Sequence, residues 1–242
     1  MRTGNAVRMR ALGGERCLLI NDERERQMKS KTIGLLAGLL LLFATQSGMA
    51  GTITGSQHDF TTKAWSGGRI CVACHVAHKS DTSVTDAPLW GHANSTQTYT
   101  LYSSPTMNAG PLAQPSGVSK LCMSCHDGTV AVDSFGGVTG TTMISTANNL
   151  GTSLADDHPI GFVYNSALAT ADGALFDPST KTVTIGSGSQ TKTGTIASLL
   201  LYNGKLECSS CHDVHNTFTV GTSHLVKMPE AGSQICLSCH NK

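Results

Sequence analysis

Four times the chain carries two cysteines three positions apart with a histidine directly after the second. The motifs are CVACH (Cys71–His75), CMSCH (Cys122–His126), CSSCH (Cys208–His212) and CLSCH (Cys236–His240). They use eight of the nine cysteines, the ninth being Cys17 near the N-terminus. Cysteine pairs alone suit a disulfide or a zinc ribbon. Neither places any demand on the residue after the second cysteine. Covalent haem attachment does: two thioethers and one axial ligand must meet a single porphyrin, and one turn of chain sets all three. Ten histidines in 242 residues put a histidine at any given position about 4% of the time, so four coincidences come to roughly a few in a million. The spacing therefore predicts four covalently bound haem c groups. Cys71, Cys74, Cys122, Cys125, Cys208, Cys211, Cys236 and Cys239 are the expected thioether anchors, and His75, His126, His212 and His240 the proximal iron ligands.

Each iron has a second axial position, and six further histidines follow residue 50: His58, His78, His92, His158, His215 and His224. His78 and His215 each come three residues after a proximal histidine, in CHVAH and CHDVH. At helical spacing such a residue faces away from its own haem and towards a neighbour. Both are expected to be distal ligands. His58 (GSQHDF), His92 (PLWGHAN) and His158 (DDHPIGF) have aromatic or proline punctuation around them, and from the residues alone each remains open between ligand and ordinary polar side chain. His224 (TSHLVKM) lacks such a setting. Met107, Met143 and Met228 lie outside the motifs, whereas Met123 is held inside one and is too constrained to serve. Histidine pairs give lower potentials than a His/Met pair. A six-coordinate iron has no position for substrate, so the expectation is an electron carrier and not an enzyme. Asp59, Asp127 and Asp213 are candidates to accept hydrogen bonds from histidine rings.

From Met28 the chain reads MKSKTIGLLAGLLLLFATQSGMAG. A short basic stretch, an apolar run and Gly48-Met49-Ala50 make a secretory signal peptide, with Met28 as the expected start and cleavage after Ala50. Residues 1–50 are thus the signal region and 51–242 the tetrahaem domain. No second apolar run is long enough to span a bilayer. The mature segment holds nine Lys/Arg against twelve Asp/Glu, which argues against nucleic acid as a partner. Gly, Ser and Thr dominate it and large apolar residues are sparse. A core of side chains alone would struggle to offset chain entropy, so the haems are expected to fill the core.

The motifs begin at 71, 122, 208 and 236, without an even period. Frequent Gly, Ser, Thr and Pro predict loops and short helices around the sites. In the longest gap, Asp177-Pro178 precedes alternating Val183 and Ile185, and Asn203-Gly204 marks a later turn. The expected fold is mostly irregular, with short α-helices and a small hairpin-bearing excursion at 166–207, wrapped around haems.

GSQHDF, CVACHVAH, APLWGH, CMSCHDGTVAVDS, DDHPIGF, ECSSCHDVH and ICLSCH together resemble the paired-C-x-x-C-H multihaem cytochromes of metal-reducing bacteria. The resemblance covers nearly all of residues 51–242 and points to tetrahaem extracellular members that polymerise into filaments. It implies bis-histidine haems stacked in a continuous chain, with one histidine supplied across a subunit boundary. It promotes His58, His92 and His158 to distal candidates beside His78 and His215, giving five candidates for four irons. His58, near the mature N-terminus, is the expected donor to a neighbouring subunit, and the haem of Cys236–His240 is expected at a junction. The function implied is extracellular electron transfer through a conductive filament, a homopolymer exchanging electrons with partner cytochromes and extracellular acceptors. It would sit outside the cell or on its outer surface. The alternative is a soluble periplasmic tetrahaem shuttle. A haem reductase would need one five-coordinate haem, and the ample supply of histidine disfavours it.

Overall fold

The computed structural model describes residues 52–242. The expected signal peptide, with its start at Met28 and cleavage after Ala50, lies outside them, as does Cys17. Among the described residues no helix is long and apolar enough to cross a membrane.

Well over half of the described residues lie outside helices and strands. The elements follow in the order β1 (Thr100–Leu101), α1 (Gly117–His126), β2 (Ser153–Leu154), β3 (Phe162–Val163), α2 (Ser166–Asp172), β4 (Thr182–Ser187), β5 (Gln190–Thr195), α3 (Ile196–Leu199), β6 (Lys205–Leu206), α4 (Cys208–Cys211) and α5 (Gln234–Leu237). The strands form three two-stranded sheets: β1 with β2 in parallel, β3 with β6 antiparallel, and β4 with β5 as a hairpin. Three of the four C-x-x-C-H motifs overlap a helix, in the last turn of α1 and in the single-turn α4 and α5. The first closes as an isolated turn, with the amides of Cys74 and His75 both donating to the Cys71 carbonyl.

The hairpin forms where alternation predicts it. Val183 and Ile185 point inward, while Thr184 faces outward and shares a hydrogen bond with Thr193 across the strands. A Cβ at Gly186 would run into the Gln190 carbonyl, and its φ of 85° is open mainly to glycine. Asn203 and Gly204 have φ of 51° and 75°, the conformation of a type I′ turn, and Tyr202 and Lys205 exchange backbone hydrogen bonds around them.

The 166–207 segment is not an excursion. With its flanks it builds the larger hydrophobic core: Tyr164, Ala169, Val183, Ile185, Ile196, Leu200, Leu206 and Met228, with Phe162, Phe176, Ile235 and Cys239 against it. The sparse apolar residues are concentrated in this part of the chain, and local density decides whether a core forms. The expectation that haems alone would fill the interior is corrected for this region. Around α1 the packing differs. Tyr99, Met123 and Leu154 form a small cluster, and the buried groups beside it are polar: Ser95, Ser119, Ser124, Asp127 and Glu207. Asp127 accepts from the Tyr99 hydroxyl at 2.7 Å, from the Ser95 hydroxyl, and from the amide of Thr129 at 2.8 Å. A buried carboxylate is tolerable only with such partners.

Candidate functional site

The histidine of each motif is positioned through its backbone. His75, His212 and His240 donate their amides to the carbonyl of the first cysteine of their motif at 2.8, 3.1 and 3.0 Å, and His126 is the last residue of α1. One turn thus brings both sulfurs and the imidazole of each motif to one end of that turn. The rings are held as well. Nδ1 of His75 lies 2.6 Å from the Pro88 carbonyl, Nδ1 of His126 2.9 Å from that of Asn148, and Nδ1 of His212 2.8 Å from that of His224. A carbonyl can only accept, so Nδ1 carries the proton and Nε2 presents its lone pair. This is the arrangement that readies an imidazole for a metal.

Three motif histidines face a second histidine ring. His58 stands 6.2 Å from His126, His215 stands 6.3 Å from His75 with the rings 18° apart, and His158 stands 6.3 Å from His240, centroid to centroid. Two metal–imidazole bonds of about 2 Å, each extended by the roughly 1 Å from nitrogen to ring centre, span about 6 Å. The separations therefore match one iron held between two imidazoles. A direct stack or a hydrogen bond between the rings would be shorter.

The remaining histidines are placed differently. His78 and His212 are both exposed, and among the described residues neither has a ring facing it. His58 faces His126 of its own chain, contrary to the expected donation to a neighbour; hydrogen bonds to Asp59 and Ser56 fold the 55–61 turn inward. His92 is buried at 3% exposure with both ring nitrogens against carbonyls, and faces no motif histidine, so it is the supernumerary candidate. His224 pairs with Glu230 at 2.9 Å. Met123 and Met228 are packed in the two hydrophobic clusters.

Two local expectations are corrected. His78 and His215 are not at helical spacing, because the chain is extended at His212 (φ −108°, ψ 145°) and no helix continues beyond either motif. The Asp213 carboxylate accepts the amides of His215, Thr217 and Phe218 at 2.9–3.1 Å, supplying locally the acceptors a helix would have supplied. The aspartates also do not reach histidine rings. Asp59, Asp127 and Asp213 each accept from backbone amides and hydroxyls of their own turns, and so fix the loops that carry the histidines.

Burial pushes the thiols of Cys74, Cys125 and Cys211 up, to about 11, 12 and 11. A redox dithiol needs a thiolate stabilised in the opposite direction. Neighbouring sulfurs contribute to these shifts and give the order of the sites. Cys74 lies near Cys122 and Cys125, the Cys122 thiol is directed at the Cys208 sulfur, and Cys211 lies near Cys239. The attachment segments thus adjoin in sequence order, first to fourth, and all eight cysteines are free of disulfides.

Burial, then the charges of His126, His212 and His215, hold His58 down from 6.5 to about 4. The unfolded chain consequently takes up this proton first. Acidification below about pH 6.5 favours the unfolded chain, and the full penalty is reached below about pH 4. Denaturant midpoints of the haem-free chain are expected to fall across that window. His58→Phe should flatten the slope; an unchanged slope would place the titrating group elsewhere.

Among the described residues no three His, Cys, Asp or Glu side chains converge on a bare metal ion. A porphyrin brings four nitrogens of its own, so a haem site needs only two facing imidazoles and an anchoring cysteine pair, and the residues present fit that need. Four of the exposed apolar side chains stand beside these groups: Leu89 next to Pro88, Leu150 near Asn148, Val214 next to His215 and Leu237 between Cys236 and Cys239. They suit the edge of a large apolar ring. No protein-family model matches the chain, and comparison with curated proteins finds no match.

Proposed function

We propose that the chain is a tetrahaem c-type cytochrome, an electron carrier that works outside the cytoplasm by joining end to end into a conducting filament. The observation that carries this reading is the set of three histidine pairs 6.2–6.3 Å apart, each pairing a C-x-x-C-H histidine with one remote in sequence. Cys71/Cys74, Cys122/Cys125, Cys208/Cys211 and Cys236/Cys239 would anchor the four groups. Their irons would take His75 with His215, His126 with His58, His240 with His158, and His212 with a ligand from outside its own chain. When bound, each haem supplies one-electron exchange between Fe(III) and Fe(II). The protein's own residues hold each imidazole in one tautomer, close both axial positions to substrate and set the sites side by side.

Polymerisation is supported by the two histidines left over. His212 has its Nδ1 locked on a carbonyl and no ring opposite it, and His78 is exposed with no ring opposite it. His78 of one subunit and His212 of the next would complete the fourth pair. The C-terminal site adjoins only the third within the chain, which leaves it an end where another subunit's array can begin.

Mass spectrometry of the mature secreted protein tests the first part: four covalent haems are expected, and a haem-free product would end the reading. Electron microscopy tests the second. His78→Ala is expected to give dispersed subunits with three low-spin haems and one altered one. Filaments with four low-spin haems in that variant would mean that the outside ligand is not His78. Dispersed subunits from the unaltered protein would favour a periplasmic shuttle.

A further inference from the structure

Of the five expected distal ligands, His92 has surroundings unlike the others. Its ring is buried, with Nδ1 2.8 Å from the Ala93 carbonyl and Nε2 3.1 Å from the Ala131 carbonyl. The sulfur of Cys125 lies 3.4 Å from Nε2 and 4.0 Å from Nδ1. The ring is also held in place through its backbone. His92 bridges Phe135, the Ala93 amide donates to Ser134, the Gly136 amide donates to Gly91, and a Cβ at Gly91 would collide with the Val76 side chain. His92 cannot swing towards an iron without undoing this stitching.

We infer that His92 is a positioning residue for the second attachment site, donating from Nε2–H to the sulfur of Cys125 and the carbonyl of Ala131, and that it is not an iron ligand. The inference rests on the haem reading above.

A neutral imidazole has one N–H, and three acceptors or potential acceptors surround this ring. While Cys125 is a thiol, its S–H can donate to Nε2, and Nδ1–H serves Ala93. Attachment adds the thiol across a haem vinyl group: the sulfur bonds to one vinyl carbon, its hydrogen goes to the other, and no electrons are gained or lost overall. The thioether sulfur can then only accept. With Nδ1–H, the ring would satisfy one acceptor and turn a lone pair on two. With Nε2–H, it satisfies two and opposes one. Attachment therefore switches the tautomer of His92. Burial lowers the pKa of this histidine, which keeps the ring neutral and makes the choice of tautomer matter.

The test uses the mature holoprotein. In the fully reduced, 15N-histidine-labelled protein, NMR is expected to show the His92 ring, assigned by its absence from a His92→Gln sample, protonated at Nε2 and with neither nitrogen on iron. A proton on Nδ1 instead, or a nitrogen on iron, overturns the proposal. A second measurement compares His92→Phe with His92→Gln. Both are expected to keep four low-spin haems by electron paramagnetic resonance. His92→Phe, which has no donor, should lower one of the four reduction potentials, and His92→Gln, whose amide can donate, should move it back towards the original. A high-spin signal in either variant, or four unchanged potentials in His92→Phe, overturns it. If the unaltered protein carries no covalent haem, the parent reading has failed, a result distinct from all of these.

Discussion

Replacing His215 with alanine is expected to turn one low-spin haem high-spin, and that haem is the one on Cys71 and Cys74, not the one whose motif precedes His215. The His215 ring lies 6.3 Å from that of His75 and nearly parallel to it. Its backbone is pinned by Asp213, which also holds Thr217 and Phe218. On the other side, His75 is locked to the Pro88 carbonyl. Electron paramagnetic resonance of the oxidised protein reads the change directly. The assignment is checked by repeating the substitution in a Cys71→Ala/Cys74→Ala background, which lacks that haem: His215→Ala should then add no high-spin signal. A signal that persists would put His215 on a different iron. Asp213→Ala should produce a weaker version of the same change, because the turn that presents His215 loses its acceptor.

Truncating Ile196 to alanine is expected to lower stability by about 2–5 kcal/mol, the range for deleting a large aliphatic side chain from a closed core. Ile196 is fully buried at the start of α3, in the cluster that includes Val183, Ile185 and Leu200. The same cluster supports the fourth attachment site. Cys239 packs against it, the Phe176 amide donates to the Cys239 carbonyl at 2.8 Å, and the Tyr164 hydroxyl donates to the Phe176 carbonyl at 2.6 Å. Loss of packing at Ile196 should therefore lower the thermal midpoint and broaden the spectrum of the fourth haem. Thr191→Ala, on the exposed strand of the same hairpin, should stay within about 0.5 kcal/mol of the original. Equal losses from the two variants would show that the hairpin, and not the core beneath it, limits stability.

The locally encoded features were legible in the sequence. The four motifs announce themselves because three residue types must fall within one turn. The Asn203-Gly204 turn and the inward Val183 and Ile185 follow from backbone preference and alternation. The pairing of His58 with His126, His75 with His215 and His158 with His240 joins residues far apart in the chain, and only packing brings them together. The assumed helical spacing of His215 failed because an aspartate side chain competes for the same amides. The core built from residues 160–239 was missed because average composition hides a local concentration of aliphatic side chains. His92 looked like a ligand because nothing in PLWGHAN reveals that two carbonyls and a sulfur surround its ring.

Three of the motif histidines are oriented by peptide groups, at Pro88, Asn148 and His224, reached 13, 22 and 12 residues along the chain. Every amino acid has a carbonyl, so no point substitution at these positions can delete the acceptor. A substitution scan there should find little, and a search for functional residues by side-chain chemistry would pass over them. What would misalign the imidazoles is a change in the length of the intervening loops. The orientation of these ligands is thus written in spacing, and single-residue insertions at 80–86, 130–146 or 214–222 should do damage that no single replacement in those loops does.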